Sequence, residues 1–403
     1  MFLKIFSAFV LGLTIFTVTP AVVSAQDINE PEILQFDENG IPQYDAPVDD
    51  SPPHIEYYRA TVLEIVDEKN ADDPYLTALE QFSQEAKIKL LNGPDKGVEM
   101  TLSYTPGSIG SNNQQNLQAG ETILVAKSDE TGAETYYIYD HYRINAVVWL
   151  AVGFFALVVL VSGWKGLRSL AGLGFTLAVI IWFILPRIIN GGNPFSAFLI
   201  GGLLIALVSI YLGHGFNRRT SIAVISTVTA LMLSIGLALL AVSWAKLFGL
   251  GTEEAFYLQI GELGTVNLRG LLLGGIIIGI LGVLDDVTTA QAAAIEEIQR
   301  ANPSLNFYEL LRRGFSVGHE HVVSMVNTLA LAYVGASFPL LLLFSQNSIP
   351  FFVVLNSERV VEEIVRTLVG SSALVLAVPI TTYLAAFYFA RYGSGSQNKT
   401  IKA

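Results

Sequence analysis

Apolar residues follow three patterns along this chain. A first apolar run, Ile5 to Val18, follows Lys4 and closes on Val23-Ser24-Ala25. That layout predicts a secretory signal peptide over 1–25, with an uncleaved anchor helix as the alternative. From 26 to 143 the apolar positions come singly or alternate with polar ones. Beyond 144 they merge into runs of about twenty residues, the length a bilayer core requires.

The middle region divides in two. Residues 26–53 carry Asp37, Glu38, Asp45, Asp49 and Asp50 among Pro42, Pro47, Pro52 and Pro53, a composition that predicts a flexible acidic tether. Residues 54–143 hold short alternating segments: Tyr57–Val66, Ala86–Leu91, Val98–Tyr104, Thr122–Ala126 and Thr135–Tyr139. Turn signals such as Asn92-Gly93-Pro94 and Thr105-Pro106-Gly107 separate them. Short strands at this spacing predict a small β-barrel or sandwich, with an OB-like barrel as the reading adopted. The acidic loop from Asp67 to Asp73 lacks the spacing and central glycine of a calcium loop and reads as solvated.

Residues 144–392 predict a helical membrane domain of about seven spans, at 146–163, 169–186, 194–213, 221–247, 268–287, 322–344 and 367–390. A cytoplasmic tail follows over 393–403. Pro186 and Pro194 bracket a turn, and Pro379 predicts a kink whose freed backbone groups Thr381 and Thr382 would satisfy. Asn306 and Glu309 have the spacing of a capping pair, with Gly314 as a stop after Arg312 and Arg313. Starting outside, the inner side receives Lys165, Arg168, Arg218, Arg219, Arg300, Arg312, Arg313, Arg391, Lys399 and Lys402. The outer side receives Arg143, Arg187, Lys246, Arg269, Arg359 and Arg366, so the basic excess lies inside. The fold class expected is therefore an α-helical polytopic membrane protein after a signal peptide, with an N-terminal extracytoplasmic β domain and a cytoplasmic C-terminus.

Composition sharpens this picture. Hydrophobic residues make up 52% of the chain and charged ones only 14%, which places much of it in lipid. The acidity is local: 26–143 carries 23 Asp and Glu against 7 Lys and Arg, leaving the remainder at +4 against −12 overall. An acidic head on a mildly basic membrane part excludes nucleic acid as a partner. With no cysteine there is no disulfide and no thiolate metal site. Glycine pairs at 191, 201 and 274 lack a downstream Lys-Ser/Thr, so a phosphate-binding loop is not expected. No nucleophile–base pattern accompanies the serines, and neither enzyme activity nor a cofactor is expected.

The chemistry concentrates between Arg269 and Ile298, an apolar run interrupted by Asp285 and Asp286. Gly275, Gly279, Gly282 and Asp286 follow at spacings of four, three and four, sharing one helix face. The glycines predict close approach of another helix. An ionisable group in lipid costs several kcal/mol unless paired or hydrated, so Asp286 is the leading functional candidate, with Asp285 on another face. His319-Glu320-His321 opens the sixth expected span, and Glu320, Ser324 and Asn327 form a polar stripe along it. Turned toward Asp286, that stripe would make a hydrated relay for protons, with His319 able to exchange them. The bland alternative is a set of wetted helix ends. His319 and His321 lie about 200° apart on a helix, so one metal cannot take both and no metal is expected. Glu253, Glu254 and Glu262 read as solvated.

Several stretches carry a resemblance: Asp140-His-Tyr-Arg143, Trp164-Lys-Gly-Leu-Arg168, Leu185-Pro-Arg-Ile-Ile-Asn-Gly-Gly-Asn-Pro194, Gly213-His-Gly-Phe-Asn-Arg-Arg-Thr220, Gly279-Ile-Leu-Gly-Val-Leu-Asp-Asp-Val287 and Val326-Asn-Thr-Leu-Ala-Leu-Ala-Tyr-Val-Gly-Ala-Ser337. From about Tyr57 to Arg391 the chain resembles the YibE/F-like family of bacterial multi-pass membrane proteins. The resemblance sets the family's aspartate on Asp286 and its Asn-Thr-Leu element on Asn327 and Thr328. Many relatives have Gly-Arg-Asp where Gly318-His319-Glu320 stands here, which loses a cation at 319 and keeps a carboxylate at 320. It implies a plasma-membrane location with an extracytoplasmic head, and no particular substrate.

Function is accordingly expected to be that of a secondary transporter or ion/solute permease. Membrane lipid, a small cation or solute, and other membrane subunits are the partners this allows. The alternative is a membrane-anchored accessory or sensor protein whose β head binds a partner, with an intramembrane enzyme third.

Overall fold

A computed structural model describes residues 35–36, 42–43, 55–70, 82–104, 116–128, 134–261, 264–345 and 350–392. The expected signal peptide, most of the tether, the Thr105-Pro106-Gly107 turn, Glu262 and the tail over 393–403 lie outside the described residues. Within the tether, β1 (Gln35–Phe36) and β2 (Pro42–Gln43) form a small antiparallel pair.

The N-terminal unit is an antiparallel sheet in the order β5-β4-β3-β6-β7. Its strands are β3 (Ile55–Asn70), β4 (Phe82–Leu90), β5 (Glu99–Tyr104), β6 (Thr122–Ser128) and β7 (Thr135–His141). The long central β3 pairs with β6 through its first half and with β4 through its second. Irregular register at Val62/Glu64 and Ile65/Asp67 bends it between the two. The edge strands β5 and β7 approach each other, giving a half-barrel. Asp67 to Asn70 continue β3 rather than opening a loop. Alternation decides the inner face: Tyr58, Ala60, Val62, Ala86, Ile88, Leu90, Ile123, Val125 and Ile138 form one buried cluster. Each large aliphatic side chain enclosed there contributes about 1.5–3 kcal/mol. Gly93 adopts φ +91°, and a Cβ there would strike the Tyr58 ring, so both backbone and packing demand glycine.

The second unit begins within α1 (Ile144–Val179), continues through a π-helical turn (Ile180–Ile184), and then runs into α2 (Leu185–Ile189). The other helices are α3 (Pro194–His214), α4 (Arg218–Trp244), α5 (Glu253–Ile260), α6 (Leu268–Ala301) and α7 (Phe307–Ala336). After these come α8 (Phe338–Ser345), α9 (Phe351–Leu355) and α10 (Glu358–Tyr392).

Among the described residues, five helical runs are long and apolar enough to cross a membrane, against the expected seven. Two differences account for the gap. The first two expected spans fall in one continuous stretch, Ile144–Ile189, in which two helices meet at a kink. The kink lies at Gly163, where φ 55° and ψ −135° suit only glycine. The sixth expected span is divided at Ser337: Val322–Ala336 shares its helix with the polar Gly318–His321, and Phe338 starts another helix.

Helix α6 is central, packed on α3, α4, α7 and α10. Its Leu273, Ile277, Leu281 and Leu284 join Ile205, Leu231, Ile235, Val369 and Leu374 in the main core. The capping box is present: Asn306 and Glu309 exchange side chain–backbone bonds of 3.0 Å each. Gly314 does not stop the helix, because its lack of a side chain admits Thr382 and Ile295, 2.9 and 3.1 Å from where a Cβ would lie. Past Pro379, the Thr381 and Thr382 hydroxyls donate to the Ala377 and Val378 carbonyls at 2.8 and 2.6 Å. Proline frees the carbonyl of residue 375 instead, so the expected repair of the kink is not what these threonines do. At the opposite end of α4, Glu358 Oε1 accepts from the amides of Phe248, Gly249 and Leu250 at 2.6, 2.8 and 3.2 Å. The next amide, Gly251, donates to the buried Glu362 at 3.1 Å.

Candidate functional site

Three helices meet where α3 ends and α4 begins. Chain reversal follows His214, and the Asn217 side chain caps α4 by accepting from the Thr220 amide at 2.9 Å. Tyr211 fastens the corner: its hydroxyl donates to Ser221 at 3.0 Å, and its ring stacks on Phe216 at 4.6 Å. These local bonds bring His214, Arg219 and Thr220 against α6. Together with Ala223, Asp286, Thr289, Ala290 and Ala293 they line an open cavity of about 420 Å³.

Its polar groups are incompletely matched. Arg219 Nη1 is 3.5 Å from Glu296, whose other oxygen is held at 2.9 Å by Arg300. Thr220 is buried, and its hydroxyl has no hydrogen-bond partner among the described residues. Thr289 donates to the Asp285 carbonyl at 2.8 Å, an ordinary bond back along its own helix. Asp285 Oδ1 is buried and likewise without a partner among the described residues. Beneath the cavity, the Thr227 and Thr288 hydroxyls tie α4 to α6 at 2.6 Å.

The expected site residues are dispersed. Asp286 lies in the cavity wall, with Asp285 beside it in sequence. His319, Glu320, Ser324 and Asn327 are exposed on α7 and do not line the cavity. The inward face of α7 is Gly318, Val322, Met325 and Val326. In place of the expected stripe, the groups beside Asp286 are His214, Arg219 and Thr220. Among the described residues no group of three or more His, Asp or Glu is placed to hold a metal.

Among the described residues, the expected glycine face is open. A Cβ on Gly275 or Gly282 would meet nothing within 4 Å, and one on Gly279 only the Tyr333 hydroxyl at 3.6 Å. Close packing falls one residue away, on Gly274, where a Cβ would lie 1.9 Å from the Phe198 ring. The missed residues did carry a signal. Gly213-His-Gly-Phe-Asn-Arg-Arg-Thr220 is a short polar link between two apolar runs, so its His and Arg must lie at the ends of both helices.

A family model described as YibE/F-like protein matches residues 150–391, the helical region that builds this cavity. No curated protein and no solved structure matches the chain.

Proposed function

Given that this chain belongs to the YibE/F-like family, we propose that it is an integral plasma-membrane protein acting as a secondary transporter or ion/solute permease. The observation that carries this reading is Asp286, an acid in an apolar helix, lining an open cavity with His214, Arg219 and Thr220. A carboxylate kept at such a position is costly unless solvent or a bound partner compensates it, which gives it a reason to interact with a passing ion. In this reading Asp286 binds the transported or coupling ion, and the small residues Ala223, Ala290 and Ala293 leave room for passage. The strand order β5-β4-β3-β6-β7 supports an OB-like head, and in this reading the head lies outside the cell and the C-terminus inside, which the basic excess of the inner loops supports. Accessory or sensor behaviour has one observation in its favour, the separate hydrophobic core of that head.

Reconstitution tests the permease directly. Flux of protons, alkali cations and small organic ions is measured in proteoliposomes for wild type and Asp286→Asn. Loss of flux in a mutant that inserts and elutes normally is the expected result. A fully active, normally inserted mutant removes the proposal. Removal of residues 26–140 with flux retained and a cellular phenotype lost would favour the sensor.

A further inference from the structure

The charge in the cavity wall is of both signs. Asp286 comes from α6, while Arg219 and His214 come from the α3–α4 corner. A guanidinium in the wall repels a bare metal cation, and a carboxylate repels a simple anion. Arg219 is only loosely held within the fold, since Glu296 lies 3.5 Å away and is gripped more closely by Arg300. Beside it Thr220 is 1% exposed and has no hydrogen-bond partner for its hydroxyl among the described residues. An unmatched buried hydroxyl is unfavourable, and a bound polar group would relieve it. The volume of about 420 Å³, floored by alanines, exceeds what a single ion fills.

We propose, resting on the reading of this cavity as the solute site, that it takes a small zwitterion, its carboxylate on Arg219 and Thr220 and its ammonium on Asp286. Recognition of this kind needs both ends of the solute, because either charge alone leaves one wall unmatched. His214 lines the same cavity from the end of α3.

Calorimetric titration of the full chain in detergent tests the proposal. The probes are ω-amino acids from glycine to 5-aminopentanoate. Controls are the fatty acids with methyl in place of ammonium, and n-alkylamines. One chain length should bind at least about tenfold more tightly than both matched controls. Arg219→Gln should erase the advantage over the amine, and Asp286→Asn the advantage over the fatty acid. Thr220→Val, which removes only the hydroxyl's polarity, should weaken binding about fivefold without lowering the melting temperature. A wild type that binds no ω-amino acid, or binds single-charge analogues equally well, overturns the proposal, whatever the variants do. Should the charge variants fail to fold, the wild-type series and Thr220→Val decide. Zwitterion binding without flux in liposomes keeps this site and removes the permease. Asp286-dependent cation flux without zwitterion binding does the reverse.

Discussion

The Gln291 amide of α6 donates to the Thr382 hydroxyl of α10 at 2.8 Å, and the same nitrogen reaches the Gly314 carbonyl of α7 at 2.8 Å. One buried side chain therefore ties three helices together at a point where Gly314 and Gly318 allow close approach. Replacement of Gln291 by Leu removes both bonds. The expected cost is about 1–3 kcal/mol. Thermal unfolding in detergent should show a lowered midpoint for Gln291→Leu and a smaller drop for Thr382→Val. An unchanged midpoint in both would mean that the junction is held by apolar packing alone.

Two glycines on α6 should respond oppositely. Gly274→Ala drives a methyl group into Phe198 and should destabilise by about 1–3 kcal/mol, as overpacked cores do. Gly282→Ala meets open space and removes the helix penalty of glycine, so stability should be unchanged or raised by up to about 1 kcal/mol. Comparing the two melting midpoints checks this. A large loss at Gly282 would reveal a neighbour seated on that face.

In the β head, the Tyr136 hydroxyl donates to Asp95 at 2.5 Å and holds its carboxyl below the usual value of 3.8, with Lys127 adding attraction. Asp140 is lowered in the same way, chiefly by Arg143 at 2.6 Å. For groups depressed on folding, the stabilisation is complete above the unfolded value and fades as pH falls through the folded one. The head should therefore lose stability only below about pH 4, where unfolded aspartates begin to bind protons first. Amide exchange protection in β6 and β7, corrected for intrinsic rates, should drop between pH 5 and pH 3. Asp95→Asn should flatten that drop, and an equal drop in the mutant would reject the assignment.

The β head was largely legible in the sequence because one wetted face forces alternation: Tyr58, Ala60 and Val62 point inward while Tyr57, Arg59 and Leu63 do not. Helix α6 offered no such contrast. Its buried Ile276 and Ile277 and its exposed Gly275 and Gly279 are all uncharged, so the spacing marked a face without saying what lay against it. Asp286 stood out as an acid within an apolar run, whereas its companions His214 and Arg219 come from a corner more than sixty residues earlier. Only packing brings them together. The stripe on α7 shows the converse: Glu320, Ser324 and Asn327 share a helix face in the sequence, but the face that packs on the core is the one with Val322, Met325 and Val326.

The grip of Glu358 on the amides after α4 has a mechanical consequence. Helix α4 has 27 residues and extends about 40 Å, with the grip beyond its last turn and Arg219 and Thr220 in its first. Between those ends the Thr227–Thr288 bond and the packed Leu231 and Ile235 seat α4 along its neighbours, so it acts as one stiff bar. Loosening the Glu358 grip should therefore reach the mouth beside Asp286 as a tilt of the whole bar rather than as a local fraying.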